Sequence, residues 1–141
     1  MAFTITKTDV YVVDVMNRPG MLARILEALT NAGAGLEFVI ARRVTDNTSR
    51  IFVAPLQGTK VLRVAADAGL SRATGMHVLR VEGPDRAGLG AWITRGLAAD
   101  GLNIRGLSAA SIGRKCVCYV AFATADELKR AARILKSILR G

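Results

Sequence analysis

The spacing of hydrophobic positions changes period several times along the chain, and each change marks an element. Residues 9–16, DVYVVDVM, are a β-branched run that reads as a strand. Helical spacing follows over 20–32, with Met21, Ile25, Ala28, Leu29 and Ala32 on one face and Gly33 as the stop. Then Leu36, Phe38 and Ile40 alternate with Glu37 and Ala41, as on a half-buried strand. The polar turn Asp46-Asn47-Thr48-Ser49 leads into RIFVAPL, a returning strand, and a second helical stretch lies near 59–69. The order then recurs. HVLRVE at 77–82 reads as a strand, and a helix carries Leu89, Ile93 and Leu97 and stops at Gly101. NIRGLSAASI and CVCYVAFA form a hairpin through Gly113-Arg114-Lys115, and a helix follows near 125–139.

A shift of 68 residues places Asn17 on Asp85, Arg18 on Arg86, Gly20 on Gly88, Ile25 on Ile93, Leu29 on Leu97 and Gly33 on Gly101. Matches at the turn, the helix core face and the terminating glycine are where geometry is demanding, and two copies are too few for a solenoid. The pattern is β-α-β-β-α twice, an α+β chain of two ferredoxin-like (βαββαβ) modules, each an antiparallel sheet with helices on one face. The modules are expected at 1–75 and 76–141. The second lacks a closing strand after its last helix. We expect 71–76 to close the first sheet and FTITK at 3–7 to come round and close the second, leaving no open edge there. The alternative is that 3–7 pairs with another chain in a swapped dimer.

Composition narrows the function. With 51% hydrophobic residues the chain can bury a core, and no apolar run is long enough to span a membrane. The first residues lack the layout of a signal peptide, so a cytoplasmic protein without membrane contact is expected. The formal net charge is +9. Lys129, Arg133, Lys136 and Arg140 share one helical face, with Leu128, Ala131, Leu135 and Ile138 on another. Such a stripe is ordinarily a solvated face, and it is also suited to an acidic partner or nucleic acid. Cys116 and Cys118 are expected to be small buried residues rather than a metal site, since one His cannot complete a zinc ligand set. No cofactor or metal is expected. No catalytic triad, phosphate loop or paired carboxylates appear, so no enzymatic activity is expected.

The repeated strand–helix junction is the candidate site. Gly20 and Gly88 clear the backbone for a close approach, and the amides that follow, at Met21 and Leu22 or Leu89 and Gly90, lack intrahelical acceptors. With the helix dipole they suit a carboxylate or phosphate. Pro19 is expected in the first helical turn, and Asn17 and Asp85 either cap the helix or meet a ligand's amine. A molecule with both a carboxylate and an ammonium, an amino acid, fits this arrangement.

NRPGMLARILEALTNAGAGL resembles the opening of an ACT domain, a βαββαβ module that binds amino acids and regulates metabolic enzymes, and PDRAGLGAWITRGLAADGLNI resembles a second copy. The resemblance covers residues 8 to 140. It implies a ligand held between the first strand–helix loop of one module and the start of the second strand of a paired module. Carried over, those positions are Asn17, Arg18, Gly20, Met21 and Leu22, with Asp85, Arg86, Gly88 and Leu89, then Asn103 and Ile104. The family's Asp is Asn17 in the first copy and its Asn is Gly35, while in the second copy its Pro is Ala87. The second copy keeps the fuller polar set, so its loop is expected to bind better, with Gly35 and Leu36 as a wall. Trp92 replaces Arg24 of the first copy, which suggests packing between units or subunits, and His77 reads as structural.

The resulting expectation is a regulatory, allosteric protein that senses an amino acid and acts through a homo-oligomer, expected to be a dimer, or through a regulated enzyme or other regulator as partner. Two alternatives come from other classes. One is a basic ferredoxin-like interaction module for nucleic acid or an acidic protein, of which nucleic acid is disfavoured by the 5% aromatic content. The other is a ligand-free dimerisation module.

Overall fold

The computed structural model of the chain describes residues 2–140 and divides into two compact units. One is Asp9–Ala73; the other combines the segment up to Thr8 with everything from Thr74 onward. The first strand, β1 (Thr4–Thr8), therefore belongs with the C-terminal unit.

The N-terminal unit is built from β2 (Tyr11–Met16), α1 (Met21–Asn31), β3 (Phe38–Arg43), β4 (Thr48–Ala54), α2 (Thr59–Asp67) and the two-residue β5 (Ser71–Arg72). Its sheet has the antiparallel order β3-β4-β2-β5. Register places Ile51 opposite Val13 and Ala41, and Val53 opposite Tyr11 and Val39. Side chains on directly opposed residues share a face, and this face meets the helices. Ile25 and Leu29 of α1 and Val61 and Ala65 of α2, each pair four residues apart, pack with Ile51 and Val53 into one core. Phe52, opposite Val12 and Ile40, is on the other face, where the Arg42 guanidinium stands 6.0 Å from its ring centroid. The closing strand is shorter than the 71–76 expected. Pairing ends after Ala73 donates to the Val10 carbonyl at 2.9 Å, and the chain turns at Gly75 with φ +64°.

The C-terminal unit contains β6 (His77–Pro84), α3 (Leu89–Ala99), β7 (Gly106–Ile112), β8 (Lys115–Phe122) and α4 (Ala125–Ile138). Its sheet, β1-β6-β8-β7, uses β1 as the fourth strand, in register from Thr4 opposite Glu82 to Thr8 opposite Val78. This pairing lies within the chain. Leu79, Val81, Val120 and Phe122 of the sheet meet Ile93 and Leu97 of α3 and Leu135 of α4 in a core where all seven are at most 2% exposed. Phe3 and Ile5 pack against it. Gly83 makes the Phe3 position possible, because a methyl group there would run into the aromatic ring. Gly96 does the same between helices, where an added Cβ would lie 2.6 Å from Ile138 Cδ1.

The two helices of this unit are terminated differently. Thr124 Oγ accepts from the Glu127 amide at 3.1 Å and donates to its carboxylate at 3.0 Å, a side-chain cap on a helix with Asp126 and Glu127 in its first turn. At the far end of α3, Arg130 of α4 donates to the Asp100 carbonyl at 2.8 Å and to its carboxylate at 3.1 Å.

Candidate functional site

The two strand–helix junctions are fastened in the same way. Asn17 donates its backbone N–H to the Asn47 carbonyl at 2.8 Å, and Asp85 donates its own to the Arg114 carbonyl, also at 2.8 Å. Each contact ties the end of a central strand to the turn of the following hairpin. Three residues later each loop passes through a left-handed glycine, Gly20 at φ 89° or Gly88 at φ 83°, and the helix begins on the next residue. Only glycine adopts this conformation without strain.

This geometry corrects two sequence expectations. Pro19 does not occupy the first helical turn; it lies before Gly20, because the left-handed residue delays the helix to Met21. Asn17 and Asp85 do not cap their helices either. The N-cap positions are Gly20 and Gly88, and neither α1 nor α3 has a side-chain cap or an acidic residue in its first turn. Helix α2, behind Gly58, is also uncapped, so the left-handed glycine rather than the missing cap distinguishes the paired junctions.

The side chains at the two mouths differ. Asn17 Nδ2 donates to the Asp46 carbonyl at 3.2 Å, and its Oδ1 accepts from Ser49 Oγ at 3.2 Å, so both ends of the carboxamide are committed to the hairpin. The exposed Asp85 carboxylate makes no hydrogen bond or ion pair among the described residues. A negative charge beside the positive end of an uncapped helix leaves two complementary groups for one zwitterionic ligand.

The other residues sort by burial. Arg18, Gly20 and Leu22 are exposed, and Met21 is half-buried. Leu89 is 4% exposed and its amide donates to the Arg86 carbonyl at 3.2 Å, so it offers a ligand neither side chain nor a free donor. Arg86 stacks its guanidinium 5.0 Å from the ring centroid of Trp92, itself 53% exposed. Gly35 and Asn103 are exposed, while Leu36 and Ile104 pack against their cores. Asn103 and Ile104 follow the C-terminal end of α3, an 11-residue helix that is about 16 Å long at 1.5 Å per residue. A single module therefore does not bring them to Asp85, and the same separation holds between Gly35 and Asn17.

Sequence reasoning missed the hairpin residues Asp46, Asn47, Ser49 and Arg114 that hold the two loops, and it missed the Arg86–Trp92 stack. A polar turn residue at the hairpin tip was the available signal for the first; nothing in the local spacing signals the second.

Several other titratable groups are engaged within the fold. Cys116 and Cys118 are buried with their sulfurs 3.7 Å apart, and burial followed by the hydrogen bond to Cys116 pushes the Cys118 thiol up to about 12, which keeps it protonated and unreactive. Among the described residues no three His, Cys, Asp or Glu side chains are grouped to hold a metal, and no helix is long and apolar enough to cross a membrane. Arg50 holds Asp14 across β4 and β2 at 2.7 and 3.0 Å, and Lys115 meets Glu82 at 2.8 Å beside Arg80. Both carboxyls are held below their ordinary range, chiefly by these hydrogen bonds.

The chain has the fold of tandem ACT-type βαββαβ modules. The regulatory subunit of aspartate kinase from Thermus thermophilus, in its ligand-free form, superposes with a TM-score of 0.68 at 12% identity, over 99% of this chain and 98% of that one. A structure of aspartokinase alpha and beta subunits gives 0.62 at 21% identity, over 98% and 97%. The protein BT0572 from Bacteroides thetaiotaomicron gives 0.79 at 14% identity, over 94% and 89%. No protein-family model matches the sequence, and no curated protein matches it either. These likenesses are of fold.

Proposed function

We propose that this protein is a regulatory amino-acid sensor whose principal binding site is the β6–α3 junction. The ligand's carboxylate lies on the uncapped first turn of α3 behind Gly88, and its ammonium lies against Asp85. The observation that carries this reading is the contrast at equivalent positions: Asn17 is tied to the hairpin at both ends of its carboxamide, whereas the Asp85 carboxylate is unengaged. The β2–α1 junction, with Asn17, Arg18, Gly20, Met21 and Leu22, is the weaker site. Asn103, Ile104, Gly35 and Leu36 come into play only when a module is paired with another, as in an oligomer. The ligand then acts by favouring the arrangement that binds it better, which a partner enzyme or regulator reads. The fold shared with aspartate kinase regulatory subunits supports a regulatory role.

The test is a thermal-shift screen against the twenty amino acids at moderate salt. Ligand at a hundred times its dissociation constant stabilises the fold by about 2.7 kcal/mol. A selective rise in Tm that Asp85→Ala removes, and Asn17→Ala leaves in place, supports the assignment. A ligand response indifferent to Asp85 places the site elsewhere, and no response to any amino acid favours the interaction-module reading.

A further inference from the structure

The outward side of the α3–α4 helix pair carries a surface feature that extends well past the ligand site, from Gly88 along both helices. A groove of about 860 Å³ runs along α3, lined by Ala91, Trp92, Arg95, Gly96 and Ile138 among others. A second, of about 440 Å³, continues it along α4 past Arg133, Ile134, Ser137 and Ile138 to Asp100 and Arg130. Ile138 lines both, so they form one trough with an apolar floor. Gly96 deepens it, because the missing side chain lets Ile138 settle between the helices. Trp92 stands at one end, 53% exposed, with Arg86 over its ring.

The rim is cationic. Arg130 is paired with Asp100, whereas Arg95 and Arg133 meet no acid among the described residues. Lys129 and Lys136 are exposed on α4, and Arg140 is exposed just past its end. A half-exposed indole, a concave apolar floor and unpaired cations on either side match the polarity of an amphipathic helix whose opposite flanks are acidic. The charge argues against a second copy of this chain, whose own +9 would face the same rim. It argues less well for a single-stranded nucleic acid, which needs several aromatic faces to stack on; here Trp92 is the one aromatic ring of the trough, and one of its faces carries Arg86.

We propose that the α3–α4 face is a docking groove for an acidic amphipathic helix of a partner protein. The trough accommodates about three turns, the length of α3. Leucine-sized side chains fill the floor along Gly96, Ile134 and Ile138, and carboxylates meet Arg95 and Arg133. Gly88 lines the near end of this trough and also opens the amino-acid site, but Arg95, Gly96, Arg133 and Ile138 take no part in that site, so variants at these positions test the groove apart from it.

Trp92 is the only tryptophan in the chain, which makes its emission a reporter of the groove. The full chain is titrated with a tryptophan-free synthetic helix bearing Leu on one face and Glu on the other. The controls are the same peptide with Lys for every Glu, a scrambled Glu peptide of identical composition, and a single-stranded DNA oligonucleotide. The expected result is a saturable emission shift with the first peptide alone, weakened about tenfold by Arg95→Glu combined with Arg133→Glu. Far-UV circular dichroism confirms that this variant is folded, and Ser137→Glu, which adds a charge without removing one, weakens binding as well. No saturable shift overturns the proposal. So does an equal response to the scrambled peptide, tighter binding of the oligonucleotide, or an emission shift that follows protein concentration alone.

Discussion

At Asn17 a carboxamide donates to one residue of the hairpin and accepts from another, and an aspartate could not do both. Asn17→Asp loses the donation to the Asp46 carbonyl and sets a negative charge against it, while Asn17→Ala loses both contacts. A net exposed hydrogen bond is worth about 0.5–1.5 kcal/mol, so Asn17→Ala is expected to lower the urea unfolding free energy of the N-terminal unit by about 1 kcal/mol. Asp85→Ala should lie near zero by the same measurement, because its side chain has no comparable bonds. Glu82 sets a pH dependence. Its carboxyl titrates lower in the folded protein than in the unfolded chain, so the stability it confers is present above the unfolded value near 4.5 and is lost as pH falls through the folded one. The unfolding midpoint of Glu82→Gln should therefore fall less steeply than that of the parent between about pH 5 and pH 3.

Elements were the most legible level. The first helix of each module is where Ile25 and Leu29, or Ile93 and Leu97, repeat at helical spacing, and the hairpins are where polar turns interrupt β-branched runs. What periodicity could not give is which face of a strand meets the helices: Phe38, Ile40 and Phe52 alternate correctly, yet register directs Ile51 and Val53, not Phe52, toward α1 and α2. The start of α1 was misplaced by one residue for a related reason, since a left-handed φ at Gly20 is a backbone property that residue type permits without requiring. The site was legible as a motif and not as a set of contacts, because the partners of Asn17 and Asp85 lie about thirty residues away on a hairpin tip. Thr124 tests the element scale directly. Thr124→Ala removes the side-chain cap of α4 and is expected to cost about 1 kcal/mol, read as a lower denaturant midpoint; Thr124→Asp should restore most of it.

For the whole molecule the decisive contact is β1 on β6. Removing residues through Thr8 bares the outer edge of β6 and withdraws Phe3 and Ile5 from the C-terminal core, while the Asp9–Ala73 unit loses none of its own strands. The expected outcome is faster amide hydrogen exchange in β6 and β8, with β2 and β4 little changed. Gly83→Val is a milder version, since its side chain competes with the Phe3 ring for one place. If exchange rises equally in both sheets, the two units do not have separate stabilities.

The same strand has a consequence for how the chain is made. Thr4 pairs with Glu82, so on the ribosome β1 emerges well before β6, the strand it pairs with, is translated. The whole Asp9–Ala73 module can be complete in that interval, and β1 meanwhile has nothing to pair with. Its sequence, TITKT, alternates threonines with one isoleucine and one lysine, a composition that keeps a waiting strand from sticking to a neighbouring nascent chain.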